Sequence, residues 1–310
     1  AALTIGGAAV YVYVQYTSPS RLVQGSDIVI PQGTGVRGIA DIFRREHIIE
    51  EPLVFLMGVR ISGLDRSLRA GEYHFPARVS PKQAVEILAT GETVKRFVTF
   101  PEGLRSGEIV DRINLVDGLL GDVAGIPPDG MLLPETYQFS YGDTKQSILD
   151  RMVAAHDDLV TQLWPDRKEN LPFDTIEQAI VLASIVERET GVAAERPRVA
   201  GVFVNRLNKK MRLQSDPTVA YAISPDKRLD RALTRADLKF DSPYNTYVSS
   251  GLPPGPITNP GRDAIYAVLH PAETDELYFV ADGTGGHAFA RTLDEHNRNV
   301  ARWRRIRDSQ

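Results

Sequence analysis

The sequence predicts an α+β fold in two parts: a small α+β domain, then a larger mixed α+β domain, both behind a short apolar N-terminal helix. Three observations predict it. Apolar residues recur at helical spacing in some stretches and alternate at strand spacing in others, and no segment repeats at a fixed period. The chain has 310 residues, 42% of them hydrophobic and 25% charged, which is enough apolar material for two cores in an ordinary globular composition. Lys95-Arg96-Phe97-Val98-Thr99-Phe100-Pro101 reads as a strand that opens a second series of elements. The expected domains are therefore 1–16, 17–96 and 97–310.

Ala1 to Tyr16 carry no charge. The β-branched Val10, Val12 and Val14 would suit a buried strand, and a signal-peptide core can also be this apolar. Tyr11, Tyr13 and Tyr16, just before a polar stretch, fit the water-facing end of a membrane span. A complete span needs about 20 apolar residues, so the expectation for 1–16 is the remnant of a truncated N-terminal membrane anchor.

A polar linker follows, and then a strand at Ile28-Val29-Ile30-Pro31 and a glycine-punctuated turn. Val36, Ile39, Ala40 and Phe43 mark a helix over 36–47, and a second helix is expected over 52–60. The alternating stretch 70–75 reads as a strand. Ser80 and Pro81 are set to cap and start a helix that ends at Thr90-Gly91. In the larger part, helices are expected over 106–114, 144–163, 174–190, 195–207 and 262–269. Gly191 is expected to stop the third of these. A hairpin and a basic terminal helix complete the chain, and 249–260 is a loop rich in Pro and Gly.

Several function classes are excluded early. A net charge of −4 gives no basic field for nucleic acid, and Arg298, Arg302, Arg304, Arg305 and Arg307 read as the solvated face of the last helix. Without cysteine there is no disulfide, thiolate site or cysteine nucleophile. The six histidines show no H-E-x-x-H pairing, so no metal is expected. Gly283-Thr284-Gly285-Gly286-His287-Ala288 matches a dinucleotide fingerprint in letters, but too little chain follows for a βαβ unit. It reads as a hairpin turn, and no cofactor is expected. Ser224-Pro225-Asp226-Lys227 has none of the partner motifs of a penicillin-binding site.

The helix over 174–190 carries a different kind of signal. Ile176, Ala179, Ile180, Val181, Leu182, Ala183, Ile185 and Val186 make it apolar nearly all round, so it should be buried. Glu187 and Glu189 then fall at its C-terminal end, where both the helix dipole and burial disfavour a carboxylate. At 100° per residue they point about 200° apart and cannot work as one pair. A carboxyl among apolar groups keeps its proton and can serve as a general acid. An ion pair with Arg188, Arg196 or Arg198 is the structural alternative for either one. Helix geometry leaves the two glutamates level.

Leu182-Ala183-Ser184-Ile185-Val186-Glu187-Arg188-Glu189-Thr190-Gly191 resembles the signature of the YceG-like family of endolytic murein transglycosylases. The likeness continues through Val202-Phe203-Val204-Asn205-Arg206-Leu207 and Met211-Arg212-Leu213-Gln214-Ser215-Asp216-Pro217. It resumes at Tyr244-Asn245-Thr246-Tyr247, Gly251-Leu252-Pro253-Pro254-Gly255-Pro256-Ile257, His270-Pro271-Ala272 and Leu277-Tyr278-Phe279-Val280-Ala281-Asp282-Gly283. The resemblance implies a LysM-like domain ahead of the catalytic one and a single membrane anchor. It also implies a place at the bacterial inner membrane, with the catalytic domain in the periplasm or outside the membrane.

It further implies cleavage of the β-1,4 bond between N-acetylmuramic acid and N-acetylglucosamine without water, leaving 1,6-anhydro ends and so limiting strand growth. Glu189, the Glu followed by Thr, takes the catalytic position. Glu187 and Asp216 are the alternative or supporting acids, and Asp216 has an equally good reading as a cap or turn residue before Pro217. Asn245, Tyr244, Tyr247, Gln214, Ser215 and His287 are the implied substrate contacts, each with a structural alternative. The 251–256 loop is expected as a stiff groove wall. Implied partners are peptidoglycan glycan strands, the membrane, the penicillin-binding polymerases and the elongation or division machinery. A water-using muramidase and a non-catalytic wall-binding protein are the rival readings.

Overall fold

The computed structural model describes residues 2–308. The chain divides into two units. Unit 1 comprises Ala1–Val98, Val116–Gly121 and Tyr137–Thr144; unit 2 comprises Thr99–Leu115, Asp122–Thr136 and Lys145–Gln310. The division is not one cut in the sequence, because two short segments beyond residue 98 belong to unit 1.

Unit 1 opens with helix α1 (Ala2–Thr17), so the strand alternative for this stretch is excluded. No helix among the described residues is long and apolar enough to cross a membrane. The end of α1 seats buried Tyr16 on Gly58 of α3 (Pro52–Ser62), where a Cβ would meet the tyrosine ring at 2.4 Å. Val10, Tyr11, Tyr13 and Val14 remain exposed. Strands β1 (Ser26–Ile30) and β2 (Gly71–Phe75) pair antiparallel, with Ile28 opposite Tyr73. Helix α2 (Val36–Arg45) and α4 (Pro81–Thr90) complete the first core around Phe43, Phe55, Tyr73 and Phe75. The capping box expected of Ser80 forms with Gln83, and Gly91 ends α4 in the left-handed conformation. Strand β3 (Arg96–Thr99) pairs with β4 (Thr136–Phe139), and Arg96 binds Glu72 through Nε at 2.7 Å and Nη2 at 2.9 Å.

Unit 2 is built on α7 (Ile176–Glu189), which is buried from Ala179 through Val186. It packs against α8 (Arg196–Asn208) and α10 (Arg262–Leu269) in the second core. The other elements are α5 (Ser106–Asn114), α6 (Lys145–Leu163), α9 (Asp216–Ile223), the antiparallel hairpin β5 (Tyr278–Ala281) and β6 (His287–Ala290), and α11 (Leu293–Asp308). Helix α7 starts from Thr175, which forms a capping box with Gln178. It ends because Thr190 turns to an extended φ of −140°, not by a glycine cap at Gly191.

Asn259 ties three distant segments of unit 2 together. Its Oδ1 accepts from the Gly130 and Leu132 N–H groups at 2.9 and 3.0 Å, and its Nδ2 donates to the Leu104 carbonyl and Ser106 Oγ, both at 3.1 Å. All four amide capacities of a fully buried side chain are thus used. Asn259→Ala strands two buried N–H donors at once. We expect a loss of about 2–4 kcal/mol in urea denaturation; a change within error would show that water replaces the amide.

Candidate active site

The two glutamates at the end of α7 meet opposite fates. Glu187 turns into the protein, its side chain 5% exposed. It accepts from the Gly261 N–H at 3.0 Å and pairs with Arg196 Nη2 at 3.4 Å. Arg196 also reaches Glu102 at 3.0 Å and Asp263 at 3.2 Å. Burial raises the Glu187 pKa, while the Gly261 N–H and Arg196 oppose the shift. This is the structural ion pair that the sequence left open, and it is Glu187 that Arg196 engages.

Glu189 faces a cavity of 430 Å³ lined by residues of α7, α8, α9, the β5–β6 hairpin and α11. Ser215 Oγ donates to Glu189 Oε1 at 2.5 Å. Burial pushes the Glu189 pKa from 4.5 up to about 7; the Ser215 hydrogen bond opposes this, Asp216 adds to it, and His287 and Arg206 oppose it. A partly buried carboxyl that stays half-protonated near neutrality, in a cavity and on a rigid helix, can both give and take a proton.

The sequence Gln214-Ser215-Asp216 is clamped to Thr246-Tyr247. Gln214 adopts a φ of +50°, unusual for a residue with a side chain, and its N–H donates to the Thr246 carbonyl at 3.1 Å. The Ser215 N–H donates to Thr246 Oγ1 at 3.0 Å, and Tyr247 Oη donates to Asp216 Oδ1 at 2.6 Å. Burial and the Asp216 acceptor hold the Tyr247 hydroxyl well above the usual phenol range. Asp216 is the first residue of α9, after Ser215 at the N-cap, and it also lines the cavity. Asp216 is thus neither a turn residue nor the cap, which is Ser215, but the first residue of a helix the sequence did not suggest, placed at the cavity wall.

Gln214, Asp216, Tyr247 and His287 line the cavity with Glu189. His287 is fixed by Glu195, which takes its N–H at 3.0 Å and bonds Nδ1 at 2.7 Å. Burial raises the Glu195 pKa, but these bonds win and hold the carboxyl below its usual range. Of the other implied substrate contacts, Ser215 is buried and its hydroxyl reaches Glu189 at the cavity's edge, and two more lie elsewhere. Asn245 is fully buried and spends its amide on the Leu238 and Phe240 carbonyls and the Tyr247 N–H. Tyr244 packs on Tyr221, ring centroids 4.9 Å apart, and against the core. Neither lines the cavity. The 251–256 loop does not line it either; Pro256 packs over Gly130, and Gly255 lies against the Tyr244 hydroxyl.

Sequence reasoning missed Arg206, Tyr278, Phe279 and His296, all of which line the cavity. Arg206 is buried, donates to the Leu277 and Leu213 carbonyls at 2.6 and 2.7 Å, and lies 5.2 Å from the Tyr278 ring centroid. Its signal was present: it continues the row of Val199 and Phe203 on the core face of α8, where an arginine needs partners. No local pattern marks His296, whose ring stacks on Tyr278 from α11. Among the described residues no cluster could hold a metal ion.

The raised pKa of Glu189 has a consequence for stability. Between its ordinary value of 4.5 and about 7 the folded chain keeps a proton that the unfolded chain has released, so stability falls as pH rises through that window. Glu189→Gln removes the burden while keeping an acceptor for Ser215. Its advantage over the parent should be absent at the acid end and reach roughly 1–3 kcal/mol above the window, read by urea denaturation on either side of it. A variant that is less stable at both ends would mean the carboxylate is well accommodated.

The family model described as the YceG-like family matches residues 28–302. The endolytic murein transglycosylase of Bacillus subtilis is 34% identical over 88% of this chain and 83% of its own length. That of Streptococcus pneumoniae is 29% identical over 88% of this chain, which spans 57% of that longer protein. The crystal structure of a yceG-like protein from Listeria monocytogenes, 30% identical, superposes with a TM-score of 0.53 over 89% of this chain and 99% of its own. The chain is a member of the YceG-like family.

Proposed function

We propose that the chain is an endolytic lytic transglycosylase of peptidoglycan, with Glu189 as its single general acid and base. The observation that carries this is the Glu189 carboxyl in the cavity, braced by Ser215 and half-protonated near pH 7. The protonated carboxyl gives its proton to the glycosidic oxygen that leaves as the glucosamine hydroxyl. The muramyl C6 hydroxyl attacks the anomeric carbon, and its proton passes to the Glu189 carboxylate. One C–O bond breaks and one forms, no water is consumed, and the acid is regenerated with a 1,6-anhydro end on the product. Strand cutting of this kind limits or terminates glycan elongation.

Asp216 gives the water-using muramidase reading its one footing, since hydrolysis needs a second carboxylate and Asp216 lines the same cavity. Tyr247 Oη engages that carboxylate, and Asp216 helps keep the proton on Glu189 by its charge. This supports a tuning role over a nucleophilic one.

On the same reading unit 1 is the LysM-like domain. The uncharged α1, with Val10, Tyr11, Tyr13 and Val14 exposed, belongs to a single membrane anchor at the bacterial inner membrane. The catalytic unit then lies in the periplasm or outside the membrane, near the polymerases that make its substrate.

Glu189→Gln should cut glycan strands roughly 10²–10⁴-fold more slowly, and mass spectrometry of the parent's products should find ends lighter by one water than reducing ends. Reducing ends would make the protein a hydrolase; undiminished cutting by the variant would remove Glu189 from the mechanism.

The pH profile is a further check. Donation requires the proton, so kcat/KM falls as pH rises through about 7. Ser215→Ala, which removes a bond that favours the carboxylate, moves this limb to higher pH, and Asp216→Asn moves it lower. Limbs that stay put would mean another group sets the profile.

A further inference from the structure

We propose that a second concavity of unit 2, lined by arginines, binds an oxyanion, either carboxylate or phosphate, carried on the glycan strand. The cavity measures 210 Å³ and includes Gly103, Arg105, Glu108, Arg188, Arg228 and Arg231 in its wall. It shares no lining residue with the cavity at Glu189, yet Arg188 and Pro217 directly adjoin Glu189 and Asp216 in the chain. It is therefore built on the same two helix ends. Its volume is below the roughly 300–1,000 Å³ of small-molecule pockets, which suits a terminal charged group and not a sugar ring.

The positive charge in this wall is only partly offset from within. Arg231 is matched by Asp237, at 2.6 and 3.1 Å. Glu108 accepts from the Arg105 backbone N–H at 2.9 Å and, with Asp129, offsets part of the Arg105 charge. The Arg105 guanidinium is fixed by the Ser224 and Lys227 carbonyls and lies over the Tyr221 ring at 4.9 Å. Arg188 and Arg228 make no ion pair or hydrogen bond that would consume their charge among the described residues. Gathering like charges in a concavity costs free energy that a bound anion returns, and planar guanidinium forks match carboxylate and phosphate oxygens. Gly103, at a φ of +73°, lets Arg188 lie close: a Cβ there would sit 3.3 Å from Arg188 Cδ and 3.4 Å from Glu187 Cγ.

The carrier of the anion rests on the proposed function; the site itself does not. Peptide stems offer carboxylates, and a lipid-linked strand end offers phosphate. Calorimetric titration of the full chain with muramyl dipeptide, its diamidated form and inorganic pyrophosphate separates the two. We expect binding of the dipeptide acid, of pyrophosphate, or of both, and none of the diamide. Binding of the acid alone identifies the stem as the source, and binding of pyrophosphate alone the phosphate end. Arg188→Gln and Arg228→Gln, at exposed positions that tolerate the change, should each weaken binding about tenfold, roughly 1.4 kcal/mol. Glu189→Gln should bind as the parent does, so a failure of the catalytic reading leaves this result standing. The proposal is overturned if neither anion binds, if the diamide binds as tightly as the acid, or if both arginine variants bind unchanged.

Discussion

A helix buried on almost every side cannot carry two bare carboxylates at its negative end, and unit 2 is arranged around how α7 disposes of Glu187 and Glu189. The dipole and the apolar surroundings oppose charge at both positions. Glu187 is compensated: Arg196 and the Gly261 N–H supply what burial removes, and Arg196 in turn gathers Glu102 and Asp263. Glu189 is left with a hydroxyl in place of a cation. A hydroxyl stabilises a carboxylate far less than an arginine does, so the proton stays within reach near neutrality. The difference between a paired carboxyl and one poised to titrate near neutrality, two residues apart, is the charge of the partner.

That partner has to stay neutral and stay put. Ser215 owes its position to Gln214, whose left-handed backbone is held by Thr246, and to the Thr246 side chain that takes the Ser215 N–H. Asn245 acts one layer further back, where its buried amide shapes the loop that presents Thr246 and Tyr247. The stretch from Tyr244 to Tyr247 therefore works chiefly by positioning, with only Tyr247 reaching the cavity. Support of this kind holds the Glu189 carboxyl and its hydroxyl partner in one geometry.

Much of this was legible in the sequence. The period of α7, the misplaced carboxylates at its end, the capping of α4 and the hairpin at Gly283 are all local signals, carried by residues within one or two turns of each other. The choice between Glu187 and Glu189 was not local. It is made by Ser215 and by Gly261, 26 and 74 positions away respectively from the glutamates they contact. Asn245 misled for the same reason: an amide suits a sugar hydroxyl and a backbone carbonyl equally, and only the fold says which one it meets. Asp216-Pro217 reads as a turn because proline resists a preceding helix, but Pro at the second position of α9 is compatible with a helix start.

The environment that tunes Glu189 is assembled from the far end of the chain. Tyr278, Phe279 and His287 come from the hairpin, and His296 from α11. The hairpin is not free to drift from the acid. Thr190, the residue that ends α7, takes the Val192 N–H at 3.0 Å and reaches Glu195, and Glu195 grips His287 at two points. On the other side Arg206 holds the Leu277 carbonyl just before β5. The cavity wall that Glu189 faces is thereby fastened to the helix that carries it. This gives a physical reason for threonine directly after Glu189: its hydroxyl takes the N–H of the turn that follows the helix and opens the chain of bonds to the opposite wall. Because burial is the largest influence on the Glu189 proton, fixing that wall fixes the acidity, and the protonation state of the site becomes a property of how unit 2 is tied together.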